Sequence, residues 1–247
     1  MKIIISPAKK INKNNAVLNQ KMKFDFINQT KILIENLKSK SENDLKKLMS
    51  LSDNLAQLNW LRYQDWDLSN YNTCFAIKMF DGDVYKGLDV DSFNDSELNF
   101  AQEHIRILSG LYGVLKPLDK VLPYRLEMGT KLEIQGLSNL YAFWGNELHD
   151  HLLLAMKKNE KLINLASNEY SKVLSLNKIK ERVITPVFKD YKNGKLKVIS
   201  FFAKRARGEM CNFIVKNKLK NINDLKLFNN LGYQFHGEKD NQILFVR

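Results

Sequence analysis

Arginine is scarce in this 247-residue chain, with 7 Arg against 32 Lys, and five of the seven stand among other groups capable of chemistry. Arg125 lies two residues from Glu127, while Arg205 and Arg207 follow Lys204; Arg62 and Arg106 are the other two. A planar guanidinium that is always charged suits two-point contacts to carboxylate or phosphate. Asp81 and Asp83 flank Gly82, and Tyr85 follows. Asp83 has three readings from the sequence: an ion pair with an arginine, a catalytic carboxylate, or a metal ligand. Two acids alone fall short of a calcium loop, which needs further oxygen ligands at set spacings.

Gly110 and Gly113 form a second focus. Asn94 and Glu97 make a capping-box pair, and Leu98, Ala101, Ile105 and Leu108 recur at helical spacing. The pattern predicts a helix that stops at Gly110, with Pro117 and Pro123 preventing a long second helix. A helix end leading into a rigid proline loop is one reading. The other is a hairpin whose backbone N–H groups meet a nucleic-acid phosphate, because LSGLYG resembles the glycine turn of helix-hairpin-helix modules.

The elements needed to position these groups follow from the pattern. Residues 2–5 read as a buried strand, so Ser6 and Lys9 sit in the loop at its carboxyl end, a common ligand location in α/β sheets. Alone, they read as a strand stop and a surface lysine. Helices are expected at 26–37, after Ser41 with Asp44, and at 52–66, where Asn59, Arg62 and Trp66 share a face. Residues 73–80 read as a strand, 131–134 as a short strand, 141–158 as a helix and 161–166 as a strand, with a short helix opening at Ser167. Asn193-Gly194 predicts a hairpin between strands 182–190 and 195–203, with Pro186 at an edge or bulge. A helix from there to about residue 219 would carry Lys204, Arg205 and Arg207 at its start, where a bound anion would relieve the repulsion from the dipole. Residues 232–236 and 242–247 suggest a closing hairpin.

Composition sets the outer limits. The chain is 44% hydrophobic with net charge +12, and residues 157–220 alone hold 17 Lys/Arg against 5 Asp/Glu. Concentrated positive charge is the footprint of a partner that is a polyanion. The 27 Asn beside 32 Lys signal a drift in composition that discounts the lysines. No linker or repeat divides the sequence, so a single domain is expected. The apolar run at 3–5 is too short for a signal core or a membrane span. Cys74 and Cys211 read as small core residues of a reducing, cytoplasmic compartment. His104, His149, His151 and His236 offer no clustered ligand set.

Seven segments together resemble the bacterial peroxide-stress YaaA family: ISPAK (5–9), GDVYKGL (82–88), RILSGLYGVLKPLD (106–119), PYRLEMGT (123–130), YAFWG (141–145), NLASNEY (164–170) and AKRARGEM (203–210). The order is that of the family, over nearly the whole chain. The resemblance implies a mixed α/β fold, one compact domain with short hairpins, surrounding helices, a helix-hairpin-helix element and a positively charged cleft. It also implies a role in peroxide stress, tied to lower free iron and protection of DNA from iron-driven damage. Two functions are therefore expected. The first is binding of duplex or distorted DNA through Lys9, Gly110, Gly113, Arg125, Lys204, Arg205 and Arg207. The alternative is an enzyme acting on a phosphorylated or nucleotide-like substrate in the same cleft, with Ser6, Asp83, Tyr85 and Glu127 as catalytic candidates. The protein is read as a monomer without cofactor, metal site or membrane partner.

Overall fold

Lys2–Ile5 forms β1 at the centre of the main sheet, and the side chains of Ile3, Ile4 and Ile5 are fully buried. A run that is apolar on both faces belongs to a strand covered on both sides. The structure, a computed structural model, describes residues 1–12 and 16–247. The other strands of this eight-stranded sheet are β2 (Ile105–Ser109), β3 (Gly113–Leu115), β4 (Leu162–Asn164), β5 (Val183–Lys192), β6 (Lys195–Lys197), β7 (Gln234–Lys239) and β8 (Gln242–Val246). They lie in the order β7-β8-β5-β4-β1-β2-β3, with β6 on the end of β5. The neighbours β2-β1-β4-β5-β8 run parallel, and the hairpin partners β3, β6 and β7 are antiparallel to theirs. The fold is mixed α/β.

Around the sheet stand α1 (Ile27–Lys38), α2 (Glu42–Met49), α3 (Asp53–Gln64), α4 (Asp83–Leu88), α5 (Asp95–His104), α6 (Leu140–Trp144), α7 (Glu147–Leu154) and α8 (Ser200–Lys216). The expected capping boxes are present: Ser41 with Asp44 opens α2, and Asn94 with Glu97 opens α5. Among the described residues, no helix is long and apolar enough to cross a membrane.

Several expected elements are corrected. The helix expected to reach Gly110 ends at His104, and Ile105–Ser109 is strand β2, buried throughout. Ladder pairing with β1, Ile3 to Ile105 and Ile5 to Ile107, overrides the helical spacing of Ile105 and Leu108. Gly110 and Gly113 therefore turn between two strands, and this stretch is not a helix-hairpin-helix. Residues 73–80 are not one strand: Cys74–Phe75 and Phe80–Asp81 are extended around a short helical turn, Ala76–Met79. The helix expected at 141–158 is two, broken at Gly145 with φ 48°. Residues 131–134 make only an isolated bridge, Ile134 to Leu137. The strand expected at 195–203 ends at Lys197, and α8 begins at Ser200, so Lys204 to Arg207 lie beyond its first turn. Pro186 lies within β5 beyond the last pair with β4, where that flank has no ladder N–H to lose.

Candidate ligand cavity at the sheet switch point

The chain leaves β1 towards β2 on one side and leaves β4 towards β5 on the other, so the two adjacent strands send their loops in opposite directions. Such a topological switch point opens a crevice at the carboxyl ends of the strands. Here Ser6 follows β1 and Ser167 follows β4. The Ser167 N–H donates to Ser6 Oγ at 2.9 Å, and the two hydroxyls are 3.3 Å apart. Above this floor is a cavity of about 490 Å³. Ser6, Lys9, Asp83, Glu127, Lys204 and Arg207 all line it, six of the eleven residues singled out from the sequence. Ser167, Glu169 and Tyr170 line it too, from the NLASNEY segment, which earned no site role in the sequence. A second hollow of about 500 Å³, near Lys180 and Gln242, contains none of the expected residues.

Local chemistry explains the placement. The loop after β1 is tied to residues 80–81 by a two-residue antiparallel ladder, and Lys10 closes it with an ion pair to Asp81 at 2.5 Å. Asp83 then enters the first turn of α4, the favourable end of a helix for a carboxylate. Where α4 meets α8 the two backbones touch: a Cβ on Gly208 would lie 1.9 Å from the Val84 carbonyl oxygen, and one on Gly87 would lie 2.3 Å from that of Arg205. Only glycine permits this approach. The contact brings Asp83 of α4 and Arg207 of α8 to one cavity wall.

The charges of the cavity are unevenly matched. Glu127 Oε1 accepts from Arg125 Nε at 2.8 Å and lies 3.3 Å from Lys9 Nζ, whereas its Oε2 is buried without a donor. Among the described residues, the side chains of Asp83, Lys204 and Arg207 have neither an ion pair nor a hydrogen bond. The pairing of Asp83 with an arginine, one of its three readings, does not occur. Arg207 is half-buried, and burial alone pushes its guanidinium below its ordinary pKa. A desolvated cation without an acceptor is costly, and an incoming anion removes that cost.

The remaining expected residues lie elsewhere. Tyr85 is buried behind the floor, its hydroxyl donating to the Ser6 carbonyl at 3.1 Å, and burial pushes its pKa up. It positions the loop and does not face the cavity. Arg125 borders a smaller gap beside Glu127, and Arg205 pairs with Glu209 one turn along its own helix at 3.2 Å. Gly110 and Gly113 are buried. A Cβ on Gly110 would meet the Leu126 carbonyl oxygen at 2.3 Å, and Gly113, with φ 73°, is packed beside Leu148, Phe26 and Trp144. No phosphate can approach either. Arg62 donates to Asn59 at 3.2 Å within α3, which ends at Gln64 short of the expected residue 66, and Trp66 is buried beyond it with its Nε1 on the Tyr112 hydroxyl at 3.1 Å, so both are structural. Both cysteines are buried, and Cys74 Sγ lies 3.7 Å from the Val121 carbonyl oxygen. His104 and His149 each hold a backbone carbonyl, and among the described residues no three His, Cys, Asp or Glu side chains gather into a metal-binding group.

Comparison with known proteins fits this geometry to a family. The model of the family described as "Peroxide stress protein YaaA" matches residues 1–239. A UPF0246 protein of Saccharophagus degradans is 48% identical over 254 residues, covering all of this chain and 99% of its own length. One from Flavobacterium johnsoniae is 46% identical over 252 residues with both chains fully covered, and one from Clostridium beijerinckii is 44% identical, covering all of this chain and 98% of its own. Over its whole length, this chain belongs to the YaaA family of peroxide stress proteins.

Proposed function

We propose that the protein binds DNA through its phosphates as its part in peroxide stress, and so limits iron-driven damage to the bound strand. One observation carries this reading. Of the 17 Lys/Arg in residues 157–220, two, Arg205 and Lys216, pair with a carboxylate, among the described residues. The other fifteen have no carboxylate within ion-pair distance, among the described residues. Lys192, Lys195, Lys197 and Lys204 are exposed, and Lys192 stands directly opposite Lys195 in the β5–β6 pair. Like charges facing each other across a ladder are destabilising. Asp190, opposite Lys197, is already engaged by Arg247 at 2.5 Å and by the Tyr233 hydroxyl at 2.9 Å. A phosphate backbone laid along this hairpin would offset the repulsion. Edge lysines also protect a strand from pairing with another chain, so the test must separate the two roles.

Salt dependence does so. Log Kd for a duplex should vary with log[salt] by about 0.9 for each phosphate neutralised. Replacing Lys192, Lys195 and Lys197 together by Gln should weaken binding and flatten the slope by roughly that amount for each phosphate no longer neutralised. A native slope near zero, or an unchanged slope in the triple variant, would rule out this hairpin as the DNA surface.

A further inference from the structure

The cavity and the basic hairpin make different demands on a ligand. DNA phosphate would be attracted by Lys204 and Arg207 but repelled by Asp83, which lines the same cavity and, among the described residues, is in no ion pair. A bare phosphate site has no use for a free carboxylate. A carboxylate and a guanidinium in one cavity, neither of them paired, are both satisfied by one ligand with an anion at one end and hydrogen-bond donors, such as ring N–H groups, at the other. Glu127 lines the cavity as well, and its buried Oε2 has no hydrogen-bond donor. Pro7, Val84, Leu165 and Tyr170 supply apolar wall between the polar groups. The volume of about 490 Å³ falls within the roughly 300–1,000 Å³ usual for small-molecule sites.

We propose that the switch-point cavity binds a phosphorylated small molecule of mononucleotide size, its phosphate on Arg207 and Lys204 and its nitrogen-bearing ring towards Asp83 and Glu127. The fork of Arg207 matches phosphate at two points, and Lys204, three residues before it in α8, adds a mobile charge at the rim. Asp83 and Glu127 act as acceptors for ring or exocyclic N–H groups. This site goes beyond DNA binding and does not depend on it, since the hairpin lysines at 192, 195 and 197 do not line the cavity.

Calorimetry on the full chain with AMP, ribose 5-phosphate and inorganic phosphate tests the assignment. AMP should bind at least about tenfold more tightly than either of the others, a difference of about 1.4 kcal/mol. Arg207→Gln should weaken AMP at least tenfold, and exposed Lys204→Ala several-fold, so the phosphate end stays testable if the first variant does not fold. Asp83→Asn should lower the melting temperature only slightly, as it loses a helix-end charge but no ion pair, yet bring AMP down towards ribose 5-phosphate. The triple hairpin variant should lose DNA and retain AMP. No heat with millimolar AMP, equal affinity for AMP and inorganic phosphate, or undiminished AMP binding in both Arg207→Gln and Lys204→Ala would overturn the proposal. Loss of AMP binding in a folded hairpin variant would do the same.

Discussion

Asp119 shows how a buried carboxyl can be structural and still leave a mark on behaviour. Its Oδ2 accepts the Lys116 N–H at 2.8 Å and locks the turn through Pro117. Burial pushes its pKa up to about 6 from an ordinary 3.8. Between those values the folded chain holds a proton that the unfolded chain has released, so this group's contribution is most favourable below about pH 4 and declines as pH rises through 6. The shift corresponds to about 2–3 kcal/mol. Urea denaturation of the native protein and Asp119→Asn should therefore diverge, with the native losing ground by that amount between pH 4 and 7. A difference that stays flat with pH would contradict the assignment. The same scale shows what could be read from the sequence. Ser6 and Lys9 read alone as a strand stop and a surface lysine and stand out only through the family segments, whereas Asp83, Glu127, Lys204 and Arg207 stand out as charged residues within those segments. Arg125 and Arg205 look the same in sequence, and only the fold reveals that Glu127 and Glu209 hold them. Ser167 was hidden because a serine after a strand is ordinary until its partner across the crevice is known.

The α4–α8 contact governs the site at the level of elements. Gly208→Ala would place a methyl 1.9 Å from a backbone oxygen, and the helices must separate to admit it. Overpacking of this kind typically costs about 1–3 kcal/mol, so the melting temperature should fall by several degrees, and AMP affinity should fall with it because Asp83 and Arg207 ride on the two helices. A variant with native stability would mean that the helices pack more loosely than described. Elements covered on both faces were the hardest to read. Ile105–Ser109 is buried at every position, so it shows no alternation, and its apolar spacing mimics a helix. By contrast, the strand at Lys2–Ile5 and the Asn193-Gly194 hairpin carried local signals that long-range packing left intact.

Charge is distributed over the whole molecule in a way that no single pair describes. Residues 81–103 carry 7 acids against 1 Lys, and Lys216 reaches across to Glu97 at 2.9 Å, yet the balance remains +12. Such an excess repels itself and destabilises the compact state. Raising monovalent salt from about 20 to about 200 mM shortens the Debye length to below about 10 Å, and the melting temperature should rise. A fall would show that ion pairs such as Lys10–Asp81 outweigh the repulsion. Strand order was beyond the sequence, because the partners of β1 lie about 100 and 160 residues away.

The glycine contact between α4 and α8 also acts as a gauge. Asp83 precedes Val84, and Arg207 precedes Gly208, so each unpaired charge is one residue from the point where the backbones touch. With no side chain between the helices, their spacing cannot be tuned by exchanging one apolar residue for another. The separation of the Asp83 and Arg207 backbones is set by this main-chain contact, and the side-chain torsions set the reach of each charge from there. Selectivity for a longer or shorter ligand would come from side-chain reach and from the rim, at Lys9, Lys86 or Lys204, while the spacing of the two backbones stays fixed.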